Sequence, residues 1–194
     1  MSFFDSNSYF IDEKVGLFKF ENCYKVFDDN GLEIGSVNQK LSVGAKLLRL
    51  VVNKAMLPFK LEIKDTEGQL QATVSRGWTF FVSKINITDA NEMQVGSIKQ
   101  KFTFLKPKFT ILDSSEQIAA TIKGDWKAWN FDITDVNENS IGTIDKKWNG
   151  AMKEIFTSAD KYHVTINPQF TNPTSKMAVI AGAITIDMVL KESK

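Results

Sequence analysis

Cysteine and histidine are nearly absent from this chain: Cys23 and His163 stand alone among 194 residues. A single cysteine permits no internal disulfide, and the two together cannot supply a Cys/His zinc cluster. His163 falls in a strand-like run, where a packed or surface histidine is the expectation. There is no Gly-rich phosphate loop and no Gly-x-Ser-x-Gly elbow. With no catalytic constellation in view, the sequence points away from a conventional enzyme. Net charge is only +1, so the molecule as a whole has no strong pull toward nucleic acid or an anionic membrane. Any such role needs a local patch, and no nucleic-acid partner is expected. Residues 1–8 lack the basic segment and apolar run of a signal peptide, which with the missing disulfides favours a reducing, cytoplasmic location. Prolines are few, four against fifteen phenylalanines, which suits a large β-rich core better than a disordered chain.

Long apolar runs are also scarce, and the clearest one lies near the end, Met177-Ala-Val-Ile-Ala-Gly-Ala-Ile-Thr-Ile-Asp-Met-Val-Leu190. It carries one charge, Asp187, and has no polar face, so as a helix it must be buried. At about 1.5 Å per residue it is roughly 21 Å long, short of the roughly 20 residues that span a bilayer. Asn172-Pro173 reads as its N-cap and first helical position. The expectation is a central helix over 174–190 that the rest of the chain encloses.

The enclosing walls are legible as a repeat. Val26-Phe-Asp28 leads to Gly35-Ser-Val37, Ile63-Lys-Asp65 to Ala72-Thr-Val74, and Ile87-Thr-Asp89 to Gly96-Ser-Ile98. Ile111-Leu-Asp113 leads to Ala120-Thr-Ile122, and Ile133-Thr-Asp135 to Gly142-Thr-Ile144. Each unit has a β-branched residue two before the Asp, a small residue seven after it and Val or Ile nine after it. The flanks alternate as half-buried strands do, and the Asp opens a turn. Each unit is therefore a β-hairpin, and its Asp serves turn chemistry rather than catalysis or metal binding. The small residue leaves room for close packing or a bulge. Between the first two units, residues 42–57 suggest a short helix across one end of the barrel. Ten hairpin strands, one strand at Tyr9 and one at Tyr162 make twelve. Eight strands close on their own side chains, whereas twelve leave a bore for a helix kept thin by Ala178, Ala181, Gly182 and Ala183.

Two stretches carry a family resemblance. Ile144-Asp-Lys-Lys-Trp-Asn-Gly-Ala-Met-Lys-Glu-Ile-Phe-Thr-Ser-Ala-Asp-Lys-Tyr162, followed by Lys176 to Asp187, resembles the C-terminal part of the phospholipid scramblase family. The specific motif is Trp148-x-Gly150-x-x-Lys153-Glu154-x-Phe156-Thr157-x-Ala159-Asp160. The same superfamily includes LURP-one-related plant proteins and the Tubby C-terminal domain. The resemblance implies a mainly β fold: a closed twelve-stranded antiparallel β-barrel of repeated hairpins around a buried C-terminal hydrophobic helix, in one domain over 1–194. It also implies binding of phospholipid headgroups at a membrane surface and a link to phospholipid scrambling. The chain lacks the Pro-rich N-terminal region and palmitoylated Cys cluster of mammalian scramblases. In the family's calcium segment it keeps Asp160 but has Ser158 in place of the first Asp, and no acid recurs before Asp187. Calcium needs six or more oxygens, so neither calcium nor another cofactor is expected.

What remains for binding is local basic charge. Lys99, Lys101, Lys106 and Lys108 flank Phe102-Thr-Phe-Leu105, and Lys146 and Lys147 precede Trp148. Lysines near an anionic surface contribute about 1 kcal/mol each, so these six are the candidate headgroup contacts, with anionic phospholipids as partners. The alternative is a soluble regulatory or protein-interaction module without lipid activity, its partners bound on the barrel's outside or mouth.

Overall fold

The structure is a computed structural model and describes residues 3–14, 23–40, 56–78, 84–101, 108–125, 129–146 and 161–192. A 3-10 turn, Phe3–Asp5, precedes twelve strands. They are β1 (Ser8–Lys14), β2 (Cys23–Phe27), β3 (Glu33–Lys40), β4 (Phe59–Asp65), β5 (Leu70–Arg76), β6 (Lys84–Asp89), β7 (Gln94–Lys101), β8 (Lys108–Asp113), β9 (Ile118–Asp125), β10 (Asn130–Thr134), β11 (Ser140–Asp145) and β12 (Lys161–Ile166). A helix, α1, runs from Pro173 to Glu192. Every strand pairs antiparallel with its sequence neighbours, and β1 pairs with β12, so the sheet closes into a barrel. The expected helix over 42–57 falls, apart from Met56 and Leu57, outside the described residues, as does the Trp148–Asp160 motif.

The register explains the spacing of the repeat. Within each hairpin the β-branched residue lies directly opposite the small one: Val26 and Gly35, Ile63 and Ala72, Ile87 and Gly96, Ile111 and Ala120, Ile133 and Gly142. The Val or Ile two residues further on lies opposite the next unit: Val37 and Ile63, Val74 and Ile87, Ile98 and Ile111, Ile122 and Ile133, Ile144 and Val164. A sixth unit is built from β12 and β1, where Val164 faces Tyr9 and Ile11 faces Val26. One circuit thus contains six offsets of two residues, a stagger of twelve over twelve strands. At a rise of about 3.3 Å and a strand spacing of about 4.8 Å, this tilts the strands by roughly 35° and puts them roughly 11 Å from the axis. That is about the distance at which one helix, roughly 10–12 Å wide, fills the interior against the surrounding wall.

The five turns are alike. Asp113 Oδ1 accepts from the amides of Ser115 at 2.8 Å and Gln117 at 2.9 Å, and the other four aspartates do the same two and four residues on. The second bond spans four residues because the turn contains one extra residue. Such a turn needs a left-handed residue three after the Asp. Gly31 and Gly68 take it in two turns, but Glu92, Glu116 and Glu138 take it in the others, at φ 63°, 59° and 64°. In each hairpin a further register shift inserts one residue immediately before the small one (Ile34, Gln71, Val95, Ala119 and Ile141), so the small residue adjoins a bulge as well as serving close packing.

Helix α1 begins as expected, with Asn172 Oδ1 accepting from the Ser175 amide at 2.9 Å. Residues 178–186 are buried throughout, and α1 packs chiefly on β7 and β8, also touching β5, β6, β9 and β12. Thr185, the one polar side chain in that run, donates to the Ala181 carbonyl at 2.6 Å, and Tyr162 donates to the Ile184 carbonyl at 2.7 Å. Val179, Ile180, Ile184 and Ile186 are each no more than 1% exposed. Their burial contributes on the order of 6–12 kcal/mol at about 1.5–3 each, an upper estimate, against a typical domain stability of roughly 5–15 kcal/mol. Deletion of residues 174–194 is therefore expected to abolish the cooperative thermal transition in calorimetry; a sharp transition in the truncated protein would disprove the central role of the helix.

Two glycines set how closely wall and helix approach. A Cβ on Gly96 would stand 2.5 Å from the Leu112 carbonyl oxygen and 2.9 Å from the Ala178 Cβ, whereas one on Gly182 would meet the Ile111 Cδ1 at 2.8 Å. Backbone cannot yield as the end of an isoleucine can. Gly96→Ala should cost about 1–3 kcal/mol in chemical denaturation, and Gly182→Ala distinctly less.

Candidate functional site

The antiparallel path sorts the barrel's two ends. The five Asp turns join β2–β3, β4–β5, β6–β7, β8–β9 and β10–β11, so all lie at one end. Even strands begin, and odd strands finish, at the other. The turn end is acidic because each tip has its Asp and each adds another acid: Asp29, Glu67, Glu92, Glu116, Glu138. A cavity of about 820 Å³ opens there, lined by Asp5, Asp28, Glu33, Asp65 and Glu67 together with Phe3 and Leu32. No group of three His, Cys, Asp or Glu side chains among the described residues is placed to hold a metal ion.

At the opposite end seven of the twelve strands terminate in Lys or Arg, while β9 and β11 end in Asp125 and Asp145. Lys40 lies directly opposite Lys60, Lys84 opposite Lys99, Lys101 opposite Lys108, and Lys108 opposite Lys123. Like charges placed directly across a ladder destabilise it, by about 0.2–1 kcal/mol each. The inward positions of these strands are Ile85, Ile98, Phe109 and Ile122, all buried. Strand alternation therefore puts Lys84, Lys99, Lys108 and Lys123 on the outer wall, in a row across β6–β9. Two of them meet acids reaching across from the turns: Lys84 donates to Glu116 at 2.6 Å, and Lys123 to Glu138 at 3.4 Å. The Glu116 carboxyl is held below the usual carboxylate range by that bond to Lys84, then by the charges of Lys84 and Lys99. Among the described residues Lys99 and Lys108 enter no ion pair.

The expected lysines divide accordingly. Lys99 and Lys108 fall in this row, and Lys101 stands opposite Lys108 in the backbone register. Lys146 stands apart on the far side of β9 and β10, where its ammonium sits 4.3 Å over the Trp129 ring and its amide donates to the Trp129 carbonyl. Lys106, Lys147 and Asp160 lie outside the described residues. Sequence reasoning missed Lys84 and left Lys123 out of the set. Their alternation with Ile85 and Ile122 marked them as outward, but only the register shows that they face Lys99 and Lys108.

His163 is a packed outer-wall residue, as expected. Its ring stacks on Phe10 at 4.1 Å and 7°, and its Nε2 lies 2.8 Å from the Ser8 hydroxyl. Burial pushes its pKa below the ordinary histidine value of 6.5, against the opposing charges of Asp145 and Asp29. The unfolded chain thus takes up the proton more readily than the folded one. The stabilisation is fully present above about pH 6.5 and is lost as the pH falls through the folded value. His163→Phe, which keeps the stack, should flatten the loss of stability just below pH 6.5, measured by denaturant midpoints across pH.

The fold is thus a closed twelve-stranded barrel with its C-terminal helix inside. The scramblase family model matches residues 13–193, and the chain belongs to that family. Human phospholipid scramblase family member 5 is 27% identical over 169 residues, covering 87% of this chain and 53% of the human protein. The chain thus spans about half the length of that curated relative. An Arabidopsis thaliana protein solved by X-ray crystallography superposes with a TM-score of 0.52 at 12% identity, over 93% of this chain and 90% of that one. That likeness is one of fold alone, and the resemblance to Tubby and LURP-one-related barrels is supported at that level only.

Proposed function

We propose that this scramblase-family barrel binds anionic phospholipid headgroups at a membrane surface, as a cytoplasmic, peripheral protein. The observation that carries the reading is the lysine row of β6–β9. Its members are opposed in register at a cost in stability, and among the described residues Lys99 and Lys108 enter no ion pair, Lys99 feeling Glu116 only at longer range. A phosphate placed between such lysines relieves their repulsion, which gives the arrangement a use. The name of the human relative, a phospholipid scramblase family member, supports the same class of ligand. Participation in scrambling belongs to the proposal too. No helix among the described residues is long and apolar enough to cross a membrane, so contact through the outer wall is the route the reading uses. It calls on neither metal nor cofactor.

Flotation with vesicles tests this. The protein should float with phosphatidylserine-containing vesicles at low salt, sink with pure phosphatidylcholine, and be released by about 0.5 M salt, where screening is short-ranged. At about 1 kcal/mol per lysine, Lys99→Ala with Lys108→Ala should weaken binding roughly thirtyfold. Absence of binding to anionic vesicles at low salt would refute the proposal.

One observation favours a second reading, a soluble regulatory or protein-interaction module. Leu32, Met93 and Val136, exposed by 65%, 62% and 62%, sit on three turn tips, and Ile118, exposed by 48%, follows a fourth, all at the acidic end and away from the lysines. Specific capture of a partner that is lost on Met93→Ser and Val136→Ser, with vesicle binding absent, would select it.

A further inference from the structure

Trp78 is the one exposed large aromatic side chain among the described residues, with 55% of its surface open. The other exposed large apolar residues, Leu32, Met93, Ile118 and Val136, belong to the opposite, acidic end. Trp78 follows β5 at the basic end. Arg76 lies opposite Ile85, so the chain two residues past Arg76 leaves the barrel beside the start of β6, at Lys84. The tryptophan therefore stands at the edge of the lysine row. Tryptophan has an apolar body and a polar N–H, and it settles at the boundary between headgroups and acyl chains. Lysines beside it meet the phosphates just above that boundary. Glu116 and Glu138 reach back from their turns to Lys84 and Lys123, while the five aspartates that open the turns lie at the other end of the barrel and are repelled by an anionic surface.

We propose that Trp78 is a membrane-insertion residue that seats the barrel end-on on an anionic bilayer, with the basic strand termini toward the lipid and the Asp turns away from it. This rests on the headgroup reading above and adds to it the residue that enters the lipid and the orientation of the barrel. Electrostatic attraction alone would leave the protein free to lie on its side along the row; the tryptophan at one end of the strands fixes the end that descends. Because Trp78 is exposed and outside the barrel core, its replacement leaves the fold intact.

The test uses the full chain and phosphatidylserine vesicles with and without brominated acyl chains. Bromine quenches only indoles that reach the acyl boundary. The bound wild-type protein should show a blue-shifted, quenched emission, and Trp78→Phe should remove most of that quenching while binding persists. Trp78→Ala should bind at least about tenfold more weakly, and its remaining binding should be fully released by salt. Trp78→Ala binding as tightly as wild type, or quenching unchanged in Trp78→Phe, would overturn the insertion while leaving the lysine-dependent binding in place. Failure of the wild-type protein to bind anionic vesicles at all would overturn both proposals.

Discussion

The structure depends on one pairing rule: a β-branched residue of an even strand faces a small residue on one side and a second β-branched residue, two positions along, on the other. This rule fixes the stagger between hairpins, and the stagger fixes the tilt and the bore. Ile87 illustrates it. Across β7 it faces Gly96, whose missing side chain lets Ala178 of the helix approach; across β5 it faces Val74, with which it builds the wall. A large residue at the Gly96 position would push the helix away, and a small one at Val74 would leave the wall thin. Helix and wall are therefore adjusted to each other by the same positions. That is why the apolar stretch needs no polar face: residues 178–186 are buried throughout.

The same turns that set the register also separate charge. An Asp that caps two amides is needed at each hairpin, and all five hairpins turn at one end, so that end gathers acids as a by-product of turn chemistry. The other end has no such requirement. There the lysines stand opposite one another, with Glu116 and Glu138 reaching only Lys84 and Lys123. The barrel is thus polar along its axis although its net charge is near zero, and the proposed membrane contact draws on this distribution rather than on the total.

Much of the fold was legible because its rules are local. The Asp at each turn, the alternation before it and the small residue seven on are read within one hairpin, and Asn172-Pro173 marks the helix start by itself. The sixth unit was hidden because its halves, Val164 and Tyr9, lie at opposite ends of the sequence, and because Tyr9 occupies the place of the small residue. Glu92, Glu116 and Glu138 in left-handed conformation were equally hidden, since glycine is the expected residue there. The site was legible only in part. Lys99 and Lys108 announce themselves beside the aromatic segment, but Lys84 and Lys123 gain meaning only from strands paired with them, and Lys146 lies over the Trp129 ring, apart from that row.

The join between the first and the last strand has a consequence for how the chain comes to be folded during synthesis. On a ribosome the strands emerge in order, and each hairpin can pair with the one before it. The ring cannot shut until β12 arrives to meet β1, and α1, which fills the interior, is made later still. Up to that moment the growing sheet has two open edges and an apolar concave face without its filling, the condition in which strand edges recruit other chains.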